Sequence, residues 1–382
     1  MTLGESLGRV RAALTRGRKH FQRVHEADRR VVVSGVRGKS TLVRWLHDAL
    51  VERGIDTFAK VTGDHPYVLA NGERHAADRD GITRLYENER LYAEHGPTEA
   101  VIAENQGIRE YTTRLASERW DPEVVVLLNV RRDHLGTLGE DLEDIARAFA
   151  RTVPDGRHVV CGDRNEAIVE YLRERLEPRG VEFTHVDPPA EYDVLGARTA
   201  FAIDPILREL GCEPMGQAHA VELLSSLRSS WTWRRLEGGG LACNAASLND
   251  IESTEHLRRH LVEALDDSTI EPVCYLRRDR AGRTASYIRY AEWLYDHDLI
   301  ERVHVAGPHS SLFRRRADLP VIVHDETERT ASEVLDTALG GGRPVVFMAN
   351  TVAPLMREID SELEARTVGR HSADDWEFTD EA

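Results

Sequence analysis

Short β-branched runs alternate along this chain with longer stretches in which apolar residues return every three or four positions. The first run, Val31–Val33, ends in a turn signal and is followed by Leu42, Val43, Leu46, Ala49 and Leu50 at helical spacing. The same alternation predicts strands over 31–34, 56–61, 99–104, 123–129 and 157–161, with helices over 41–53, 82–95, 107–119 and 140–152. Strands and helices taking turns in this way make a doubly wound, mostly parallel sheet. Helical segments over 165–177, 195–210 and 217–228 extend that domain, and turn-rich Arg234–Asn244 predicts a hairpin.

A second α/β set follows, with strands expected over 271–276, 302–306, 320–323 and 344–348. Its helices are expected over 252–265, 284–297, 330–338 and 354–364. The division read from this pattern is an N-terminal helix over 1–29, a central domain over 30–250, a smaller α/β domain over 251–370 and an acidic tail over 371–382. The linker is expected within 244–270.

Composition narrows the function classes. A chain of 382 residues is long enough for two or three domains with their own cores. It has no run of 18 apolar residues and no charged–apolar–small leader, so a soluble cytoplasmic protein is expected. Cys161, Cys212, Cys243 and Cys274 are far apart and form no CxxC pair, which suggests neither a zinc site nor a disulfide frame. A net charge of −16 argues against nucleic acid as the main partner. Of the 50 basic residues only Lys19, Lys39 and Lys60 are lysines. A background that replaces lysine almost everywhere has kept two of them in the segment that carries the chemistry below. Residues 1–30 hold eight basic against three acidic side chains, and Leu7–Arg30 reads as a basic amphipathic helix. Such a helix suits docking on its own domain, an anionic membrane surface or an acidic partner.

The stretch Val31–Thr41 reads VVVSGVRGKST. Gly35 and Gly38 permit a tight turn and leave room for a phosphate against the backbone. A helix starting near Ser40 would turn its free N–H groups toward the anion. In this P-loop reading Lys39 reaches the terminal phosphates, the Ser40 hydroxyl sits on Mg²⁺, and Thr41 continues the binding turn. The full Walker pattern places a glycine where Val33 stands, so the loop is a shortened form. Ligands of open α/β sheets gather at the carboxyl ends of strands. There the sequence places Glu104 in VIAEN, Lys60, Thr62 and Asp64 in KVTGD, and Asn129, Asp133 and His134 in NVRRDH. Glu104 and His134 could hold a divalent ion beside the phosphates. Taken singly, Glu104 is as well read as a solvated loop carboxylate, and His134 is better read as a loop histidine with no ligand role. Arg37 and Lys60 are candidates for holding a phosphorylated or free carboxylate.

These motifs, in order and spacing, resemble the Mur-ligase superfamily. Within it, the resemblance is nearest to the ligase subunit of poly-γ-glutamate synthases. CNAASLNDIEST (Cys243–Thr254) and LRRDRAGRT (Leu276–Thr284) agree with later family segments, so the resemblance spans about residues 30 to 300. It implies an ATP- and Mg²⁺-dependent ligase with a P-loop domain and a mobile Rossmann-like C-terminal domain. By position it implies Lys39 on the β/γ-phosphates, Ser40 and Glu104 on one metal, and His134 on a second. It also implies that Asn244, Asn249, Asp279 and Arg283 reach the nucleotide. For Asp279 and Arg283 a surface charge cluster is the competing reading. Membrane subunits of a synthase complex are the implied partners, and a homo-oligomer is compatible with the family.

Departures from the family sharpen the expectation. Only about thirty residues precede the first strand, too few for a UDP-sugar domain, so a UDP-linked acceptor is not expected. No lysine follows Lys60, so the carbamylated lysine with which several Mur ligases hold the second metal is not available at its usual place. Gly136 stands where the family has an acid, and no membrane-spanning segment opens the chain. The expected reaction joins a carboxylate, such as a γ-glutamyl end, to an amino acid through an acyl phosphate. The competing readings are a folylpolyglutamate-like or other amino-acid ligase, and a P-loop ATPase switch.

Overall fold

The computed structural model describes residues 17–62, 66–77, 84–107, 109–131, 138–139, 141–263, 265, 268–278, 281–349 and 353–371. The chain divides into two units between Leu224 and Ser225.

Residues 17–24 of the first unit form helix α1. Its strands are β1 (Arg29–Ser34), β2 (Thr57–Val61), β3 (Tyr67–Ala70), β4 (Glu73–Ala76), β5 (Ala100–Glu104), β6 (Val124–Leu127), β7 (His158–Cys161) and β8 (Glu182–His185). They lie in the order β4-β3-β2-β5-β1-β6-β7-β8. β1, β2, β5, β6, β7 and β8 pair in parallel, and β3 and β4 add an antiparallel ribbon at one edge. The helices are α2 (Lys39–Val51), α3 (Arg84–His95), α4 (Glu110–Trp120), α5 (Leu142–Ala150), α6 (Glu166–Leu176), α7 (Ala197–Phe201) and α8 (Ile203–Glu209).

Successive strand residues point to opposite faces, and both faces are apolar, as a buried parallel sheet requires. On one face Val31, Val33, Ala59, Ile102, Val124 and Val126 pack with Leu42, Val43 and Leu46 of α2 and Ile206 of α8. On the other, Val32, Phe58 and Val101 meet Leu91 and Tyr92 of α3, Trp120 of α4 and Val24 of α1. Farther along that face Val125, Leu127 and Val159 meet Ile145 and Phe149 of α5 and Leu172 of α6.

The helix α9 (Gln217–Ser229) spans the division. The second unit contains β9 (Trp233–Leu236), β10 (Leu241–Asn244), α10 (Ile251–Glu263), β11 (Glu271–Tyr275), α11 (Ala281–Asp296), β12 (Val303–Ala306) and α12 (Ser310–Arg316). It continues through β13 (Val321–His324), α13 (Ala331–Leu339), β14 (Val345–Met348), α14 (Pro354–Arg366) and β15 (Thr367–His371). Its sheet runs β13-β12-β11-β14-β10-β9-β15, with β9 antiparallel to both of its neighbours.

The predicted elements appear close to their expected places, and the differences are instructive. The β9–β10 hairpin belongs to the second unit, because β10 pairs with β14 through Ala242–Asn244 and β9 pairs with β15. The division therefore falls earlier in the chain than the expected 250/251 boundary. Strands β3, β4, β8 and β15 and helix α12 were not predicted. β15 also extends structure through His371, where a loose tail was expected; residues 372–382 lie outside the described residues.

Candidate functional site

The loop between β1 and α2 is built for a close approach to neighbouring backbone. Gly35 has φ +123°, and a Cβ there would lie 3.0 Å from the Asn129 amide nitrogen and 3.1 Å from that of Leu128. Gly38 has φ +83°, and its Cβ would lie 2.8 Å from Thr199 Oγ1. Both positions require glycine on backbone and space alike. α2 begins at Lys39 immediately afterwards, so its first-turn N–H groups open onto the loop. The Lys39 ammonium folds back across the loop, 2.8 Å from Gly35 O and 3.4 Å from Val36 O. Thr41 lies in the same first turn.

Three further bonds hold the loop's shape. Asn129 Oδ1 accepts from Val36 N at 3.1 Å and Arg37 N at 2.9 Å, and Asn129 Nδ2 donates to Arg37 O at 3.0 Å. The backbone N–H of Arg37 is thus committed to Asn129, and its Nη1 donates to Val36 O at 3.2 Å. Thr199 and Asn129 shape the loop, and neither was among the expected nucleotide contacts. Asn129 stood at a strand end as a legible signal, whereas nothing in the local sequence marks Thr199.

The structure brings Ser40 and Glu104 together. β5 runs parallel to β1 with Glu104 opposite Val33, which puts its carboxylate beside the first turn of α2. Glu104 Oε2 accepts from Ser40 Oγ at 2.9 Å and from Thr62 N at 2.9 Å. A hydroxyl and a buried carboxylate oxygen meeting beside a phosphate loop are the hard oxygen donors that Mg²⁺ takes, with waters completing its shell. The residues fit the metal. His134, Asp133 and Asp64 lie outside the described residues.

Lys60 is placed differently from the expectation that it holds the carboxylate or acyl phosphate. It shares the Phe58 face of β2, opposite the face covered by α2, and is fully buried. Its ammonium lies 3.0 Å from Glu87 Oε1 of α3 and donates to Val61 O at 3.1 Å. Strand alternation turns this side chain away from the loop even though its backbone ends beside it.

In the second unit the carboxyl ends of β10 and β11 carry the other expected contacts. Arg283 Nη1 donates to Asn249 Oδ1 at 2.9 Å, and Asn249 holds a left-handed conformation at φ 57°. Asn244 instead donates to Asp360 Oδ1 at 3.1 Å and accepts from Ala246 N. The structure joins Asn249 with Arg283 and leaves Asn244 with another partner. Asp279 is outside the described residues. Burial pushes the thiols of Cys161, Cys243 and Cys274 up to about 12, so none is an activated nucleophile. His158, Glu182 and Glu209 meet at the amino ends of β7 and β8, the opposite end of the sheet from the loop.

A P-loop sheet followed by a second, largely parallel α/β unit defines a class, the two-unit fold of Mur ligases and folylpolyglutamate synthases. The bifunctional folylpolyglutamate synthase/dihydrofolate synthase of Yersinia pestis, solved with AMPPNP and Mn ion, shares this fold with a TM-score of 0.64. It is 16% identical and is covered over 93% of its length by 91% of this chain. MurF from Acinetobacter baumannii shares it with a TM-score of 0.60 at 14% identity, over 92% of this chain and 80% of that one. Sequence points more narrowly. Residues 234–366 match the family described as the poly-gamma-glutamate synthase CapB C-terminal domain. The PGA synthase CapB of Bacillus subtilis (strain 168) is 26% identical over 293 residues, 71% of this chain and 73% of that protein. The chain is therefore similar to CapB in sequence and to Mur-type ligases in fold, as the motifs implied.

Proposed function

We propose that this protein is an ATP-dependent ligase that joins a γ-glutamyl carboxylate to an amino acid, extending a poly-γ-glutamate chain. The observation that carries the reading is the Gly35–Ser40 loop, with Lys39 across it and the Ser40–Glu104 oxygen pair at its side. The matches to CapB supply the substrate class.

The chemistry follows from the leaving group. A carboxylate acylates poorly because oxide would have to leave. When a carboxylate oxygen attacks the γ-phosphorus of ATP, the bond to ADP breaks and an acyl phosphate forms. The amino acid's nitrogen then attacks the acyl carbon, the carbon–oxygen bond breaks, phosphate leaves and an amide remains. Such a site needs positioning and charge neutralisation more than covalent help. Lys39 and the first-turn N–H groups of α2 would face the β- and γ-phosphates. Ser40 and Glu104 would hold Mg²⁺, which supplies charge neutralisation at the transferring phosphoryl group. His134 on a second metal, and Asn249, Arg283 and Asp279 on the nucleotide, are part of the same proposal.

The fold similarity to folylpolyglutamate synthase favours a second reading, in which one glutamate at a time is added to a small-molecule acid. Phosphate release measured against a panel of amino acids and short γ-peptides, with mass spectrometry of the products, tests both. The primary reading expects glutamate- and γ-peptide-dependent release and products lengthened by one residue. Release indifferent to every acceptor would instead fit an ATPase switch. No helix among the described residues is long and apolar enough to cross a membrane. Association with membrane subunits is proposed through the basic N-terminal segment, whose Arg18 and Lys19 are exposed.

A further inference from the structure

The shortened loop raises a question of shape. The extra glycine of the longer Walker form is absent, Val33 stands in its place, and residues 35–38 alone join β1 to α2. Such a short loop has few internal bonds with which to fix its N–H groups. We propose that Asn129 is the positioning residue that holds the loop in its phosphate-binding shape, and that Asp163 holds Asn129 in place. This rests on the reading of the loop as the nucleotide's site.

The geometry is a relay across three strand ends. Asn129 follows β6 and makes three bonds to the loop, two accepted by Oδ1 from Val36 N and Arg37 N and one donated by Nδ2 to Arg37 O. Leu128 N donates to Ser34 O, and Val36 N also donates to Asn129 O, so the end of β6 is stitched to the start of the loop. Gly35 packs directly on the Leu128 and Asn129 amides, which any side chain there would push apart. Asp163, just beyond β7 and buried, accepts from Val130 N through Oδ2 and from Asn165 N through Oδ1 at 2.8 Å. It thereby fixes the backbone immediately after Asn129. Val36 N and Arg37 N are thus both turned to Asn129. An asparagine suits the task because one amide offers both an acceptor and a donor without placing a charge beside a phosphate.

The test uses the full chain and three variants, Asn129→Ala, Asp163→Asn and the double variant, with Lys39→Ala as a control for the site itself. Affinity for Mg-AMPPNP is measured by titration calorimetry, together with thermal transitions and the KM for ATP. Loss of two to three loop bonds should weaken nucleotide binding of Asn129→Ala by at least about tenfold. The KM for ATP should rise by a similar factor while kcat changes less. Asp163→Asn should weaken binding in the same sense, and the double variant should be no worse than Asn129→Ala, because the two act through one contact. A purely structural role would lower the thermal transition and leave the affinity of the folded protein unchanged, and that result would overturn the proposal. Additive losses in the double variant would overturn the part assigned to Asp163. Unchanged nucleotide affinity in Lys39→Ala would remove the site reading and this inference with it. Loss in Lys39→Ala with none in Asn129→Ala would remove only the inference.

Discussion

At the scale of single residues, Lys39 and Lys60 show how one sequence argument can lead to two different places in the fold. Both survive in a chain almost free of lysine, and both lie near strand ends that face the loop. Lys39 crosses the loop, but Lys60 is in a buried pair with Glu87 on the other side of the sheet. Position along the strand was legible; which of two faces a strand's last residues take was not, because it depends on the whole register. Two buried histidines give a prediction at this scale. Burial pushes His20 down to about 4, with the nearby Arg119 and Arg23 guanidinium groups adding to the effect. Burial, then His304 and Arg329, push His324 down to about 4 as well. A histidine held neutral in the fold binds fewer protons there than in the unfolded chain. Its stabilising contribution is therefore complete above about pH 6.5 and is lost as pH falls toward 4, by on the order of 3 kcal/mol for each residue. Melting temperatures recorded across that interval should fall steeply for the parent and less steeply for His20→Gln. Equal slopes in the two proteins would show that His20 does not contribute.

At the scale of elements, the parallel strands and their helices were legible because each carries a long, one-period apolar pattern. The missed strands are short, and β4 and β8 are also largely exposed or half-exposed, so their pattern carries little hydrophobic signal. The β3–β4 ribbon did have a signal in Asn71-Gly72, the pair that takes positive φ at both central positions of a tight hairpin, here 49° and 89°. The β9–β10 hairpin was recognised locally, yet its sheet was misassigned, because a turn motif does not reveal which distant strand it joins. Helix α1 raises a separate issue, since its basic residues allowed either membrane recruitment or docking. In residues 17–27 the docking surface is present: His20, Val24 and Ala27 are buried, and His20 Nε2 lies 3.0 Å from Arg119 O. Deleting residues 1–25 should therefore lower the thermal transition, and Val24→Asp should destabilise by roughly 3 kcal/mol by burying a charge among apolar neighbours. An unchanged transition in both would show that this helix is not part of the fold. Membrane flotation of the truncated protein at low and high salt then reports recruitment separately.

At the scale of the whole molecule, the class of fold and the strand, loop and helix of the proposed phosphate site were readable from the sequence because strand, loop, lysine, hydroxyl and helix follow one another without interruption. The parts assembled from distant segments, Thr199 against Gly38 and Asn129 over the loop, appear only once the sheet is folded. The second unit matches the CapB C-terminal domain, and the first supplies the loop and the Ser40–Glu104 pair. The account's central claim is that the γ-phosphoryl group is spent on a carboxylate. The most direct measurement is to supply the carboxylate substrate, a short γ-glutamyl peptide labelled with ¹⁸O in its carboxyl groups, together with ATP, Mg²⁺ and glutamate in ordinary water. The account predicts that each released phosphate carries one labelled oxygen, transferred when the amine breaks the acyl carbon–oxygen bond. Phosphate without label, its new oxygen drawn from water, would contradict it and identify a hydrolase.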